Sequence, residues 1–268
     1  MQDSVTLPVV LSIAGLDPSG GAGVIADIKT ITRFKCFPAA AITSITFQNT
    51  TGVFGAEHQT AANLRSQVEP IVSDVQVAAV KTGMLPTAEI VAEVARLFSE
   101  TNLPAPVIDP VMVSTSGHDL IGEEAFQILK SQLLKLALIV TPNIPEAERL
   151  AGFRITTETD MRNAAETIKA LGPTSVLIKG GHRLASNRNE AVDILLNQGG
   201  EFTEYREEFV EVNEVHGSGC TLSAAIASCL ALGLSLEESV KEAKSYITAR
   251  INALKQAPRI GRGALPIL

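Results

Sequence analysis

Gly217, Ser218, Gly219 and Cys220 lie between Val215 and a long apolar run, residues 222–236, and here residue type and spacing offer chemistry most directly. If a helix begins near Ser218 or Gly219, its first free N–H groups and the positive end of its dipole point over these four residues and make an anion pocket. Glycine lets the backbone come close, so negative charge developing on a transferred phosphoryl group can be held there. Cys220 would feel the same field and ionise more easily than an ordinary thiol. The competing reading is a simple glycine turn followed by a small buried cysteine.

The other polar clusters each follow a short apolar segment. Gly15 leads into Gly20, Gly21, Ala22 and Gly23, with Asp27 one turn into the next periodic run. Residues 21–26 fit a relaxed dinucleotide fingerprint, but residues 39–56 contain no Asp or Glu to bind a ribose, and no Lys-Ser/Thr completes a P-loop. A backbone lining for a small substrate remains, with Asp27 accepting hydrogen bonds from it, beside the alternative of a tight turn. Gln48 can present donor and acceptor to an aminopyrimidine edge, or sit in a solvated loop. Met84, Val111 and Met112 suit an apolar wall round a flat ring, or the core.

A carboxylate directly after an apolar strand is poorly explained by packing, so Asp109 points to metal or phosphate chemistry. Asn143 and Glu146 are three apart on one helical face and, with Asp109, offer oxygen ligands for Mg²⁺ held through water, although both also suit a helix cap. Lys179 ends another apolar strand, where it can neutralise a nucleotide phosphate. His182, just beyond it, reads as a loop histidine.

The elements that must position these groups alternate. Apolar segments 7–14, 39–47, 75–80, 106–108, 138–140 and 175–178 read as strands, separated by helical periodicity over 24–34, 61–72, 87–100, 123–134, 143–151 and 158–171. Residues 48–55 read as a polar excursion between strand and helix. Segments 191–196 and 201–212, joined at Gly199-Gly200, read as a hairpin, and helices follow over 219–232 and 236–254. This order predicts an α/β fold, a mainly parallel sheet covered on both faces, with an antiparallel hairpin near one edge. Ligands in such sheets bind at the carboxyl ends of strands, where the polar clusters fall.

With 268 residues, 46% of them hydrophobic, and no linker-like stretch or repeat, residues 1–268 read as one domain. A net charge of −7 argues against nucleic-acid or anionic-membrane partners. Three scattered cysteines disfavour a disulfide framework and structural zinc. The amino-terminal residues lack a basic region and a long apolar core, and the 222–236 run is too short to span a bilayer, so a cytoplasmic protein is expected.

Taken together, IAGLDPSGGAGVIADIKT, FQNTTGV, VKTGM, IDPVM, TPNIPEAERL, IKGGH and VHGSGCTLSAAIAS resemble, in order and spacing, the hydroxymethylpyrimidine/phosphomethylpyrimidine kinases of thiamine biosynthesis. The resemblance runs from Val9 to Leu254 and implies a ribokinase-like three-layer α/β/α sandwich. It further implies transfer of the ATP γ-phosphoryl group to 4-amino-5-hydroxymethyl-2-methylpyrimidine and then to its monophosphate, with Mg²⁺, by a homodimer. Gly15, Ala22, Asp27, Gln48, Met84 and Val111 match positions round the pyrimidine. Asn143 and Glu146 match the Mg²⁺-linked segment, and Gly217 to Cys220 match the anion hole.

Two residues depart from that pattern: Ser218 stands where Thr is common, and Phe47 is bulkier than the small or aliphatic residue expected. The expected mechanism is in-line transfer in which a Cys220 thiolate takes the hydroxyl proton. Residues 49–57 and 183–190 are lid candidates, being polar and short of apolar anchors. A pyridoxal kinase is the nearest alternative. A dinucleotide-dependent oxidoreductase and a non-catalytic ligand-binding protein are more distant ones.

Overall fold

The computed structural model describes residues 7–114, 117–181, 190–212, 215–258 and 260–267. Its elements run β1 (Val9–Leu16), α1 (Gly23–Arg33), β2 (Phe37–Asn49), β3 (Gly52–His58), α2 (Ala61–Asp74), β4 (Val77–Thr82), α3 (Ala88–Glu100) and β5 (Val107–Ile108). They continue through α4 (Glu123–Ile128), β6 (Ile139–Val140), α5 (Ile144–Ala151), α6 (Glu158–Lys169), β7 (Ser175–Lys179), β8 (Glu190–Leu196) and β9 (Phe202–Glu208). The last are β10 (Val215–His216), α7 (Ser218–Ala231), α8 (Leu236–Leu254) and β11 (Leu265–Pro266).

Among the described residues nine strands form one sheet in the order β3-β2-β1-β4-β5-β6-β7-β8-β9. Pairing is parallel from β2 to β7 and antiparallel at both ends, where β3 joins β2 and the β8–β9 hairpin joins β7. The expected hairpin is therefore present, and a second antiparallel edge lies opposite. Residues 48–55 are not an excursion: Gln48 and Asn49 extend β2, and Val53 and Gly52 return against them.

Strand alternation divides the core in two. Leu11, Ile13, Val80, Ile108, Val176 and Ile178 face the layer of α2 to α6, while Val10, Ala79, Val107 and Leu177 face α1, α7 and α8. Helix α7 is buried almost all round, as its composition predicts. On the α1/α7/α8 face the apolar row gives way to Ser12, Lys81, Asp109, Lys179 and Asp193, all but Lys179 buried. A row of charge inside the protein needs partners, and the partners create the site.

Candidate active site

A cleft of about 440 Å³ opens over the carboxyl ends of the parallel strands. Gly15, Ala22, Gln48, Met84 and Val111 border it, as do Asp109, Asn143, Glu146 and Lys179. Gly217, Ser218, Gly219 and Cys220 border the same cleft.

Asp27 is the exception among the residues singled out from sequence. It is wholly buried, accepts a 2.6 Å hydrogen bond from Ser12 Oγ, and pairs with Lys81 Nζ at 2.8 and 3.0 Å. No part of it borders the cleft, so the expected contact with substrate is replaced by a contact with Lys81, which does border it. Burial alone would lower the Lys81 ammonium, but the Asp27 carboxylate, with Cys220 and Asp109 further off, holds it above its usual value. Lys81 is therefore a fixed cation at the cleft floor. Gly83 leaves room for it, since a Cβ there would lie 2.8 Å from Lys81 Nζ.

The second cation is Lys179, 3.0 Å from Asp109 Oδ1. Gly219 lies over this pair: a Cβ at Gly219 would come within 3.2 Å of Lys179 Nζ and 3.4 Å of Asp109 Oδ2. Backbone amides at the start of α7 thus approach an ammonium group and a carboxylate with no side chain between. The first intrahelical bond of α7 runs from Thr221 N–H to Gly217 C=O, 2.9 Å, so the amides of Ser218, Gly219 and Cys220 precede the helical ladder. Gly217 has φ +83°, and a Cβ there would lie 1.9 Å from the Gly21 carbonyl oxygen. Only glycine allows the two loops to touch in this way.

Asp17 fastens the first loop. Its Oδ1 accepts from Ser19 N–H and Oγ, and its Oδ2 accepts from the amides of Gly21 and Ala22. Burial would raise this carboxyl, but hydrogen bonds from His216, Ser19 and Gln48 hold it well below the carboxylate range. Sequence reading passed over Asp17 and Lys81, although an Asp two residues before Ser in a glycine-rich turn is a known loop-closing signal.

Cys220 is only partly buried, yet its thiol is pushed up to about 11. Desolvation dominates; Lys81 pulls the value down, and Asp27 and Asp109 push it back. The expectation of an easily ionised thiol is therefore reversed. Lost water and the two carboxylates outweigh the pull of Lys81 and of the Gly23 amide.

Asn143 and Glu146 form a capping box on α5: Asn143 Oδ1 accepts from Glu146 N–H at 2.9 Å, and Glu146 Oε2 accepts from Asn143 N–H at 2.8 Å. The capping role holds, and both residues border the cleft as well. Burial pushes the Glu146 carboxyl up to about 7, with Lys179 pulling against it and Asp109 adding to it. Among the described residues no cluster of three or more His, Cys, Asp or Glu side chains could hold a metal alone. Two carboxylates beside a lysine fit a Mg²⁺ ion that keeps most of its waters and shares its other ligands with phosphates.

Phe47 does not narrow the cleft. Thr46 and Gln48 border it, while Phe47 is 53% exposed. His182 and residues 183–189 of the second lid candidate lie outside the described residues.

The sheet order and the cleft over its strand ends place the chain among ribokinase-like phosphotransferases. Residues 17–268 match the family model for phosphomethylpyrimidine kinase. The chain is 43% identical to the hydroxymethylpyrimidine/phosphomethylpyrimidine kinase of Streptomyces coelicolor, covering 93% of this chain and 90% of that one. It is also 43% identical to the thiamine biosynthesis bifunctional protein ThiED of Geobacter sulfurreducens over 96% of its length, and spans about half (51%) of that longer protein. The crystal structure of phosphomethylpyrimidine kinase from Clostridium difficile 630 superposes with a TM-score of 0.80 at 42% identity, covering 91% of this chain and 99% of that one. An ADP complex of Bacillus subtilis pyridoxal kinase superposes at 0.84 with 36% identity, covering 92% of each. The chain belongs to the phosphomethylpyrimidine kinase family.

Proposed function

We propose that the protein transfers the γ-phosphoryl group of ATP to the hydroxymethyl oxygen of 4-amino-5-hydroxymethyl-2-methylpyrimidine, and then to the monophosphate so formed, in thiamine diphosphate biosynthesis. One observation carries the reading: a chain of this family lines a single cleft with Met84, Val111 and Gln48, with Lys81 and Lys179, and with the residues that open α7. The pyrimidine lies among Gly15, Ala22, Gln48, Met84 and Val111. The nucleotide phosphates lie towards Lys179 and Asn143.

The alcohol oxygen attacks the γ-phosphorus as the bond from that phosphorus to the bridging oxygen breaks, and ADP leaves with the bonding pair. The amides of Gly217, Ser218, Gly219 and Cys220 and the two lysines hold the charge carried by the moving group, and most of the acceleration comes from this positioning. With burial pushing its thiol up to about 11, Cys220 stays largely protonated at neutral pH. Cys220 therefore orients the hydroxyl, and the proton is released late, to the phosphate oxygens and thence to water. Asp109 and Glu146 would hold a Mg²⁺ ion, which would supply neutralisation of phosphate charge.

We place residues 1–268 in one domain, in the cytoplasm, acting on small molecules as a homodimer, with neither nucleic acid nor membrane as partner. No helix among the described residues is long and apolar enough to cross a membrane. The open β3 edge, with Phe54 71% exposed and Phe47 of the adjoining β2 53% exposed, supports association with a second copy. Light scattering at micromolar concentration tests it, and a monomer overturns it.

The deciding experiment measures ADP release with the pyrimidine alcohol, its monophosphate and pyridoxal in parallel, with and without Mg²⁺. The proposal expects the two pyrimidines to be preferred and turnover to need the metal. Pyridoxal kinase is the second reading, favoured by the likeness to the Bacillus subtilis enzyme. Preference for pyridoxal would establish it instead.

A further inference from the structure

We propose that Asp193, held by Lys244, is a positioning residue for Lys179, and so for the nucleotide end of the cleft. The proposal rests on the kinase reading for what Lys179 does, and on geometry for the rest. The buried polar row on the α1/α7/α8 face does not stop at the cleft. Its last member, Asp193 on β8, borders no part of the cleft and is 4% exposed. Lys244 reaches it from α8 at 2.6 Å and is 7% exposed. A carboxylate and an ammonium group placed this deep are costly to desolvate, and a hydrophobic pair of similar size often stabilises a fold as well or better. The pair therefore calls for an explanation other than stability.

Its second oxygen supplies one. Asp193 Oδ1 accepts the Gly180 N–H at 3.1 Å, and the same amide reaches Val192 C=O at 3.0 Å. Gly180 follows Lys179, which is paired in register with Asp193 itself. A side chain at Gly180 is impossible, since a Cβ would lie 2.1 Å from the Val192 carbonyl oxygen, so the β7 end is pressed flat on β8. On the other side, Lys179 N–H donates to Pro142 C=O at 2.8 Å, next to Asn143. Lys179 is thus gripped through the backbone on both flanks, and only the grip through Gly180 uses a charged side chain. Lys244 fixes that carboxylate from a helix that takes no part in the cleft. Losing the grip would let β7 fray at its last residue and move the ammonium group away from Asp109 and the amides over it.

The test separates positioning from stability. Asp193→Asn keeps an acceptor for Gly180 but loses the charge that Lys244 needs, and D193L/K244M replaces the pair with apolar side chains. We expect D193N to lower kcat/KM for ATP at least tenfold, leaving KM for the pyrimidine alcohol within twofold. D193L/K244M should regain the wild-type melting temperature while staying at least tenfold slow. Calorimetric titration with ATP in the absence of the alcohol gives a readout independent of turnover, and both variants should bind at least fivefold more weakly. The proposal is overturned if folded D193N keeps wild-type ATP affinity and kcat/KM, or if D193L/K244M restores activity together with stability. A wild-type protein that binds ATP but fails to phosphorylate the pyrimidine would sink the substrate assignment and leave the titration still decisive for the pair.

Discussion

His216 Nε2 lies 2.9 Å from Asp17 Oδ2, and this contact ties the first glycine loop to the loop that opens α7. Gly21 lies directly under the imidazole, where a Cβ would come within 2.4 Å of His216 Cδ2. Because Gly217 rests on Gly21, moving one loop moves the other, and the amides at the start of α7 are aligned from the far side of the cleft.

Asp17→Asn removes the charge to which His216, Ser19 and two backbone amides are directed. A buried, charge-assisted set of this kind is worth about 2–4 kcal/mol, and D17N should lose that much in urea titration at pH 7. The sign with pH follows from the depressed folded value. The stabilisation is complete above the unfolded carboxyl value near 4 and fades as pH falls below it. The difference between wild type and D17N should therefore shrink between pH 5 and pH 3. A difference that stays constant over this range would refute the assignment.

Cys220 should behave as a protected thiol. In a C36A/C229A background, its alkylation by iodoacetamide is expected to be slow at pH 7 and to climb steadily beyond pH 9, in keeping with a thiol near 11. Cys220→Ala should slow turnover about tenfold, the loss of an orienting contact, and leave the pH–rate profile unmoved. A loss beyond about a hundredfold, with the basic limb of the profile gone, would restore the general-base role.

Most of the framework is legible because the buried strands are short apolar runs, most of them ended by glycine or a charge, and the amphipathic helices repeat their apolar faces. The far edge is not. β2 and β3 are half exposed, so Gln48 and Asn49 look like a loop until the antiparallel partner pairs with them. The site is legible wherever a residue borders the cleft from the end of its own strand, as Asp109 and Lys179 do, or from the first turn of its helix, as Cys220 does. It is misread where the answer depends on a distant partner. Asp27 looks like a substrate ligand and Lys81 draws no notice, because nothing local reveals that they neutralise each other across 54 residues.

Glu146 should impose an acid limb on turnover. With its carboxyl pushed up to about 7, it becomes neutral as pH falls through that value, and the carboxylate proposed to face Mg²⁺ is lost. Turnover at subsaturating Mg²⁺ should therefore drop between pH 7.5 and pH 6, and E146Q should be slow but flat over the same range. The stability sign is opposite. A raised carboxyl favours the fold at low pH and opposes it as pH rises from about 4 to 7, so E146Q should be relatively more stable at pH 8 than at pH 5. A pH profile for E146Q parallel to the wild type would assign the limb to another group.

Lys81 and Asp27 make the sharpest test of how the buried row is built. Lys81→Met leaves a fully buried carboxylate with only Ser12 beside it, and breaking a buried pair in this way costs about 3–5 kcal/mol. Adding Asp27→Asn removes the orphaned charge, so K81M/D27N should recover most of that loss in chemical denaturation. Activity should not recover with it, because Lys81 is one of the two lysines bordering the cleft that are proposed to hold the moving phosphoryl group. We expect both K81M and the double variant to be at least a hundredfold slower in kcat than the wild type. D27N alone should retain more activity than either, since it weakens the support of Lys81 and spares the ammonium group. If the double variant regained both stability and turnover, the pair would be structural alone and the charge on the cleft floor irrelevant to transfer.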